Sequence, residues 1–217
     1  MLKAVILDFD GIIIDSETIW FDIFNKWFKD NHQYDLPITE FTKCVGSEKE
    51  DLFIYLEDKY DFEIDRKKFE HDTIDLFIEL TKDIPVMDGI EDFIKVVKKH
   101  NLKLGLCTSA TIKKPTYHLN RLDLMKYFDA ITTADDVERI KPFPDLYENA
   151  LKKLNVKPNE VIVIEDSYNG LLSANSAGIK TIVVPNYVTK HFNFEEAFMI
   201  KNSVKEIDLK GLIKSWE

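Results

Sequence analysis

Four short apolar runs punctuate the chain, at residues 4–7, 103–107, 161–164 and 181–184, each rich in Val, Ile or Leu. Continuous runs of this length, without polar alternation, suit strands buried on both faces, the pattern of a parallel sheet covered by helices. Between them the period changes. Residues 89–100 set Ile90, Phe93, Ile94, Val96 and Val97 on one side and place Lys98, Lys99 and His100 in a last turn, where cations suit the helix dipole. Pro144 opens a second helical pattern through Leu146, Tyr147, Ala150, Leu151 and Leu154, which Pro158 ends. Strand and helix in alternation predict an α/β fold on a doubly wound parallel sheet.

Residues 16–81 follow a different rule. Trp20, Phe24, Trp27 and Phe28 recur at helical spacing, Leu52, Tyr55 and Leu56 continue it, and Phe69, Thr73, Leu76, Phe77 and Leu80 close it, with no run that reads as a buried strand. This predicts a small α-helical lobe inserted after the first strand, with residues 1–15 and 82–217 forming the α/β core. The aromatic stripe reads as the core of that lobe, Trp20 being the one member that also suits a ligand wall.

Composition narrows the partners. With 29 basic and 39 acidic side chains the net charge is −10, which argues against general affinity for nucleic acid or an anionic membrane, since both need a cationic surface. The 45% apolar content is ample for a packed core over 217 residues. Cys44 and Cys107 are too few for a disulfide framework and lack zinc-ligand spacing. The opening apolar run breaks at Asp8, too short for a signal sequence, and no stretch approaches the roughly 18 apolar residues of a spanning helix. A cytoplasmic protein is expected.

The chemistry lies where the apolar runs end. The first stops at Asp8-Phe9-Asp10-Gly11, the second at Thr108-Ser109, the third at Glu165-Asp166-Ser167. In an open parallel sheet ligands bind at the carboxyl ends of the strands, so these residues converge on one crevice. Each pair of like charges about 4 Å apart there costs on the order of 4 kcal/mol at an effective dielectric of 20, so a cation or protons must relieve the four carboxylates. The all-oxygen donor set suits Mg²⁺, completed by a substrate phosphate. Thr108 can donate its hydroxyl to that phosphate, as can backbone N–H groups of Phe9, Asp10 and Ser109. Gly11 completes the phosphate-binding turn, and Lys141, in Ile140-Lys141-Pro142-Phe143-Pro144, supplies positive charge. Asp8 and Asp10 then divide the labour, one as nucleophile and the other as general acid and base.

Taken singly, these residues read as turn or cap residues; in this order and combination they resemble the haloacid dehalogenase superfamily of phosphotransferases. The likeness runs along essentially the whole chain and is to the branch with a helical cap after the first motif, which holds β-phosphoglucomutase-like proteins and sugar-phosphate phosphatases. The resemblance implies Asp8 as nucleophile forming an aspartyl-phosphate, Asp10 as general acid/base and Thr108 and Lys141 as phosphate binders. It further implies Mg²⁺ held by Asp8, the Asp10 carbonyl, Glu165 and Asp166. The presence of Asp10 disfavours dehalogenation, in which no leaving oxygen needs a proton.

Within that branch two departures lean toward hydrolysis over mutase chemistry. Trp20 stands where β-phosphoglucomutases carry a cap histidine, and Ala110 where they commonly carry a serine. Ser16 falls at the cap hinge. Gly46, Ser47, Glu48 and Lys49 fall in the cap specificity loop, Lys49 being the candidate for a distal phosphate or sugar hydroxyl. Lys113 and Lys114 read as charges at a helix start, the five histidines as structural or exposed, and Cys107 as a core residue. The expected activity is a Mg²⁺-dependent phosphatase acting on a small phosphorylated metabolite, a sugar or polyol phosphate, with a β-phosphoglucomutase-type mutase as the alternative. A non-catalytic phospho-ligand-binding or partner-binding protein on the same fold is a third reading, which the intact motif set opposes. A monomer is expected from the branch resemblance.

Overall fold

The computed structural model describes residues 1–45 and 48–216. Strand β1 (Ala4–Leu7) leads into four helices, α1 (Ser16–His32), α2 (Ile38–Phe41), α3 (Lys49–Tyr60) and α4 (Arg66–Thr81). The chain then alternates through α5 (Ile90–Lys99), β2 (Lys103–Cys107), α6 (Lys113–Arg121), β3 (Ala130–Thr132), α7 (Asp145–Leu154) and β4 (Val161–Glu165). It ends with α8 (Tyr168–Ser176), β5 (Lys180–Val183), β6 (Met199–Ile200) and α9 (Leu209–Ser215).

The strands form one six-stranded sheet, every pairing parallel, in the order β3-β2-β1-β4-β5-β6. The doubly wound architecture follows from side-chain alternation. Val5, Leu7, Leu104, Leu106, Ile162 and Ile164 face one layer with α5 and α9, while Ala4, Ile6, Cys107, Val161 and Val163 face the other with α7 and α8. Both faces are covered, which is why these strands read as unbroken apolar runs. β3 and β6 were not among the expected strands. β3 has three residues, two of them only half-buried, and β6 has two, so neither supplies a run long enough to register. No described helix is long and apolar enough to cross a membrane.

Register fixes the working end. Leu7 pairs with Leu106 on one side and Ile164 on the other, so Asp8 stands level with Cys107 and Glu165, one residue before Thr108 and Asp166. β1 and β4 meet where the strand order reverses, the crevice in which open α/β sheets take ligands.

Helices α1 to α4 enclose an apolar cluster of their own, built on Phe24, Trp27, Phe28, Phe41, Phe53 and Phe69. The two chain crossings between this segment and the sheet are tied together where Met87 N–H donates to the Ile13 carbonyl at 2.8 Å. The segment also buries the carboxylate of Glu40, which accepts from Tyr34 and Lys59 at 2.7 Å and from Tyr60 at 2.8 Å. Burial works to raise its pKa, but these donors outweigh it and hold Glu40 below the usual glutamate value. A depressed carboxylate contributes stability that is present above pH 4.5 and lost as pH falls through the folded value. Glu40→Gln is therefore expected to cost about 1–3 kcal/mol at pH 7. Urea unfolding at pH 7 and again below pH 4 checks this, the difference from wild type shrinking in acid.

Candidate active site

Asp8 leaves the end of β1 with its carboxylate buried. The Lys141 ammonium pairs with it, donates to Glu165 at 2.6 Å and to the Cys107 carbonyl at 3.2 Å, and is itself 3% exposed. All three ammonium donors are thus used. Burial lowers the Lys141 pKa, but Asp8 and Glu165 more than reverse this, leaving the ammonium more firmly protonated than an ordinary lysine. For Asp8 the balance goes the other way: burial pushes its carboxyl well up, and Lys141 offsets only part of that.

Glu165 is fully buried and its two oxygens are heavily engaged. Oε1 accepts from Lys141 and from the Tyr147 hydroxyl at 2.7 Å; Oε2 accepts from the N–H groups of Asp166 and Ser167 at 3.1 and 3.2 Å and from the Ser167 hydroxyl at 3.1 Å. Ser167 also accepts from the Gly170 N–H at 3.1 Å, so the start of α8 is locked onto this carboxylate. A Cβ at Gly170 would collide with it, which is why a glycine occupies this helical position. Asp166 accepts from the Asn186 amide at 2.7 Å, and burial, with Glu165 and Asp8 adding, raises its pKa. Gly11, at φ +76°, lies against Asp166 and Asn186 so closely that no side chain fits.

Carboxylate oxygens of Asp8, Glu165 and Asp166 lie within 4.8 Å of one another. Three buried carboxylates against one ammonium are under-compensated, which is what raises Asp8 and Asp166, and an all-oxygen set of this kind fits Mg²⁺. Glu165, with both oxygens already accepting from the protein, is placed to anchor Lys141 as much as to meet an ion. The Asp10 carboxylate is outside this group; it accepts from Ser16 and Lys114.

A cavity of about 290 Å³ opens above these groups. From the sheet it is lined by Asp8, Asp10, Thr108, Ser109, Lys141 and Asp166, and from the helical segment by Trp20, Lys49, Phe24, Phe41 and Glu17. Thr108 Oγ1 accepts from the Ala110 N–H at 3.1 Å, so its own proton is free to donate. Ser109 Oγ is buried without a hydrogen-bond partner. Phe9 is fully buried in the core, so any contact it offers a phosphate is through its backbone. Trp20 stacks on Phe77 with centroids 4.0 Å apart and rings 12° from parallel. Lys49 pairs with Glu70 at 2.7 Å on an exposed face. Gly46 and Ser47 lie outside the described residues.

Several groups here escaped sequence reasoning. Lys114, read as a charge at a helix start, lines the cavity and pairs with Asp10. Glu17 faces the same space, its carboxyl pushed up to about 8 by burial, with the Asp10 charge adding. Asn186 follows the β5 strand end, so the rule that singled out the other strand ends applied to it equally. Tyr147 lay on the apolar face of α7, and nothing in that pattern marked its hydroxyl. None of the five histidines lines the cavity. Cys107 is fully buried, and burial pushes its thiol up, away from nucleophilic use.

A parallel sheet with paired aspartates leaving its central strand and a buried lysine and acidic pair beside them defines a class of phosphoryl-handling hydrolases. The model of the haloacid dehalogenase-like hydrolases matches residues 5–184, and the chain belongs to that family. It is an enzyme of the phosphatase type. YhcW of Bacillus subtilis is 35% identical over 214 residues, 98% of this chain and 97% of that protein. The phosphorylated carbohydrates phosphatase of Thermotoga maritima is 36% identical over 187 residues, 83% of this chain and 84% of its own length. Among solved structures, CbbY from Rhodobacter sphaeroides in complex with phosphate superposes with a TM-score of 0.81 at 25% identity, covering 98% of this chain and 100% of that one.

Proposed function

We propose that the protein is a Mg²⁺-dependent phosphatase that hydrolyses a small phosphorylated metabolite of the sugar- or polyol-phosphate class through an aspartyl-phosphate on Asp8. The observation that carries this reading is the pairing of buried Asp8 with Lys141 at the floor of a cavity that Asp10 and Thr108 also line. The named activity of the Thermotoga relative and the phosphate held by the CbbY structure point the same way.

Asp8 attacks phosphorus as the carboxylate, a state Lys141 favours against burial. As its oxygen bonds to phosphorus the ester P–O bond breaks, and Asp10 gives its proton to the departing oxygen. Asp10 then takes a proton from water, which attacks the phosphoryl group and frees Asp8 and inorganic phosphate. Throughout, the Thr108 hydroxyl offers a donor, and the buried Lys141 ammonium a fixed positive charge, to the charge on the transferred group. Mg²⁺, held by Asp8, Asp166 and the Asp10 carbonyl with Glu165 beside them, would supply charge neutralisation for phosphate and carboxylates sharing this volume.

In this reading residues 16–81 are a cap that closes the cavity and shapes selectivity. Trp20→Ala should raise KM about 3- to 10-fold, the worth of one aromatic contact, with a smaller effect on kcat; steady-state kinetics check the split. Mg²⁺ at 100 times its Kd should stabilise the protein by about 2.7 kcal/mol. Thermal unfolding with and without chelator should show this shift in wild type and its loss in Asp166→Asn.

Phosphate release with Mg²⁺ across sugar, polyol and nucleotide phosphates tests the function itself. It is run beside β-glucose 1-phosphate with a trace of glucose 1,6-bisphosphate. Free phosphate from one or a few members is expected. Glucose 6-phosphate without free phosphate would make the protein a mutase.

A further inference from the structure

Helix α6 opens on Lys113 and Lys114 with no acidic residue in its first turn. Cations at that end oppose the helix dipole, so helix stability does not account for them. The surroundings of Lys114 do. Its ammonium lies 5.9 Å from the ring centre of Phe9 in the core and 5.2 Å from that of Phe77 in α4, and Phe77 is the ring on which Trp20 stacks. Lys114 thus stands between the β1 turn and the helical segment, partly buried, and pairs with Asp10 across 104 residues of sequence.

Three described lysines line the cavity: Lys49, Lys114 and Lys141. Lys141 has its three donors committed to Asp8, Glu165 and the Cys107 carbonyl. Lys49 is tied to Glu70 on an exposed face. Lys114 shows a hydrogen bond to one oxygen of Asp10, which leaves ammonium donors for a ligand on the side of the cavity where Asp10 would meet the leaving oxygen.

We propose that Lys114 is a specificity-determining residue that receives a second anionic group on the leaving-group side of the phosphoester, so that preferred substrates carry a carboxylate or a second phosphate there. The proposal rests on the reading of Asp10 as the acid facing the leaving group. It refines the substrate class: phosphorylated acids and bisphosphates are favoured over esters of neutral polyols. A charge-assisted hydrogen bond at a partly buried ammonium gives a preference of about tenfold or more.

The test is steady-state kinetics of wild type, Lys114→Met, Lys114→Gln and Lys114→Arg with Mg²⁺. The substrates are glycerol 2-phosphate as the neutral arm, 3-phosphoglycerate as the carboxylate arm and fructose 1,6-bisphosphate as the phosphate arm. In wild type, kcat/KM for one doubly anionic substrate should exceed that for glycerol 2-phosphate, and the arm that does so names the anion. That ratio should fall about tenfold or more in Lys114→Met and Lys114→Gln, chiefly through KM, and recover in Lys114→Arg. A wild-type preference for the neutral arm, or a ratio unchanged by both neutral substitutions, overturns the proposal. Failure of the underlying reading is seen separately, as full turnover in Asp10→Asn on every substrate.

Discussion

Asp8→Asn is expected to lower phosphate release by about 10⁴-fold or more, the scale on which loss of a covalent nucleophile acts. An amide of nearly the same shape keeps the packing at the end of β1 but cannot form the acyl phosphate. Lys141 retains Glu165 as its partner at 2.6 Å, so the buried ammonium is not stranded. The melting temperature should therefore move by only a few degrees while turnover disappears. Parallel activity and thermal-unfolding measurements check both halves, and turnover close to wild type would remove Asp8 from the mechanism.

The second large effect is on stability. Lys141 is the one cation that ion-pairs with Asp8 and Glu165 among the described residues, and all three side chains are almost completely buried. Lys141→Met keeps the stem volume but strands two carboxylates, for which a loss of about 3–5 kcal/mol is expected. The loss should shrink as pH falls toward 5, because burial has already raised Asp8 and without Lys141 it takes up a proton more readily still. Denaturant unfolding at pH 5 and pH 8 measures this. A variant as stable as wild type at both would mean that Asp8 and Glu165 are relieved by some other partner.

What could be read from residues alone follows from physical causes that particular elements make plain. β1, β2, β4 and β5 announced themselves because helices cover both faces of the sheet and leave no polar alternation. Edge strands β3 and β6 lack that cover and length, and were silent. The convergence of Asp8, Thr108 and Glu165 was legible because parallel register brings successive strand ends to one level. Some residues that reach the cavity sideways from helices were not. Glu17 and Lys114 look like ordinary charges at helix starts; Glu17 reaches the cavity from α1, and Lys114 reaches Asp10 from α6 across 104 residues of sequence, a pairing that no local pattern marks. Tyr147 shows the same limit inside the core: helical period marks the ring, while the hydroxyl aimed at Glu165 has no sequence signature. Lys114 carried one usable sign, a cation at the wrong end of a helix dipole, and that kind of local conflict is where a functional residue shows itself.

The central claim is covalent: phosphorus passes through Asp8. The direct measurement is rapid acid quench of the Mg²⁺-loaded enzyme during turnover of its best substrate, followed by peptide mass spectrometry. One added phosphoryl group on the peptide containing Asp8, formed and lost at rates consistent with kcat and absent from Asp8→Asn, is the predicted result. Full phosphate release with no adduct on that peptide, and with Asp8→Asn equally active, would contradict it.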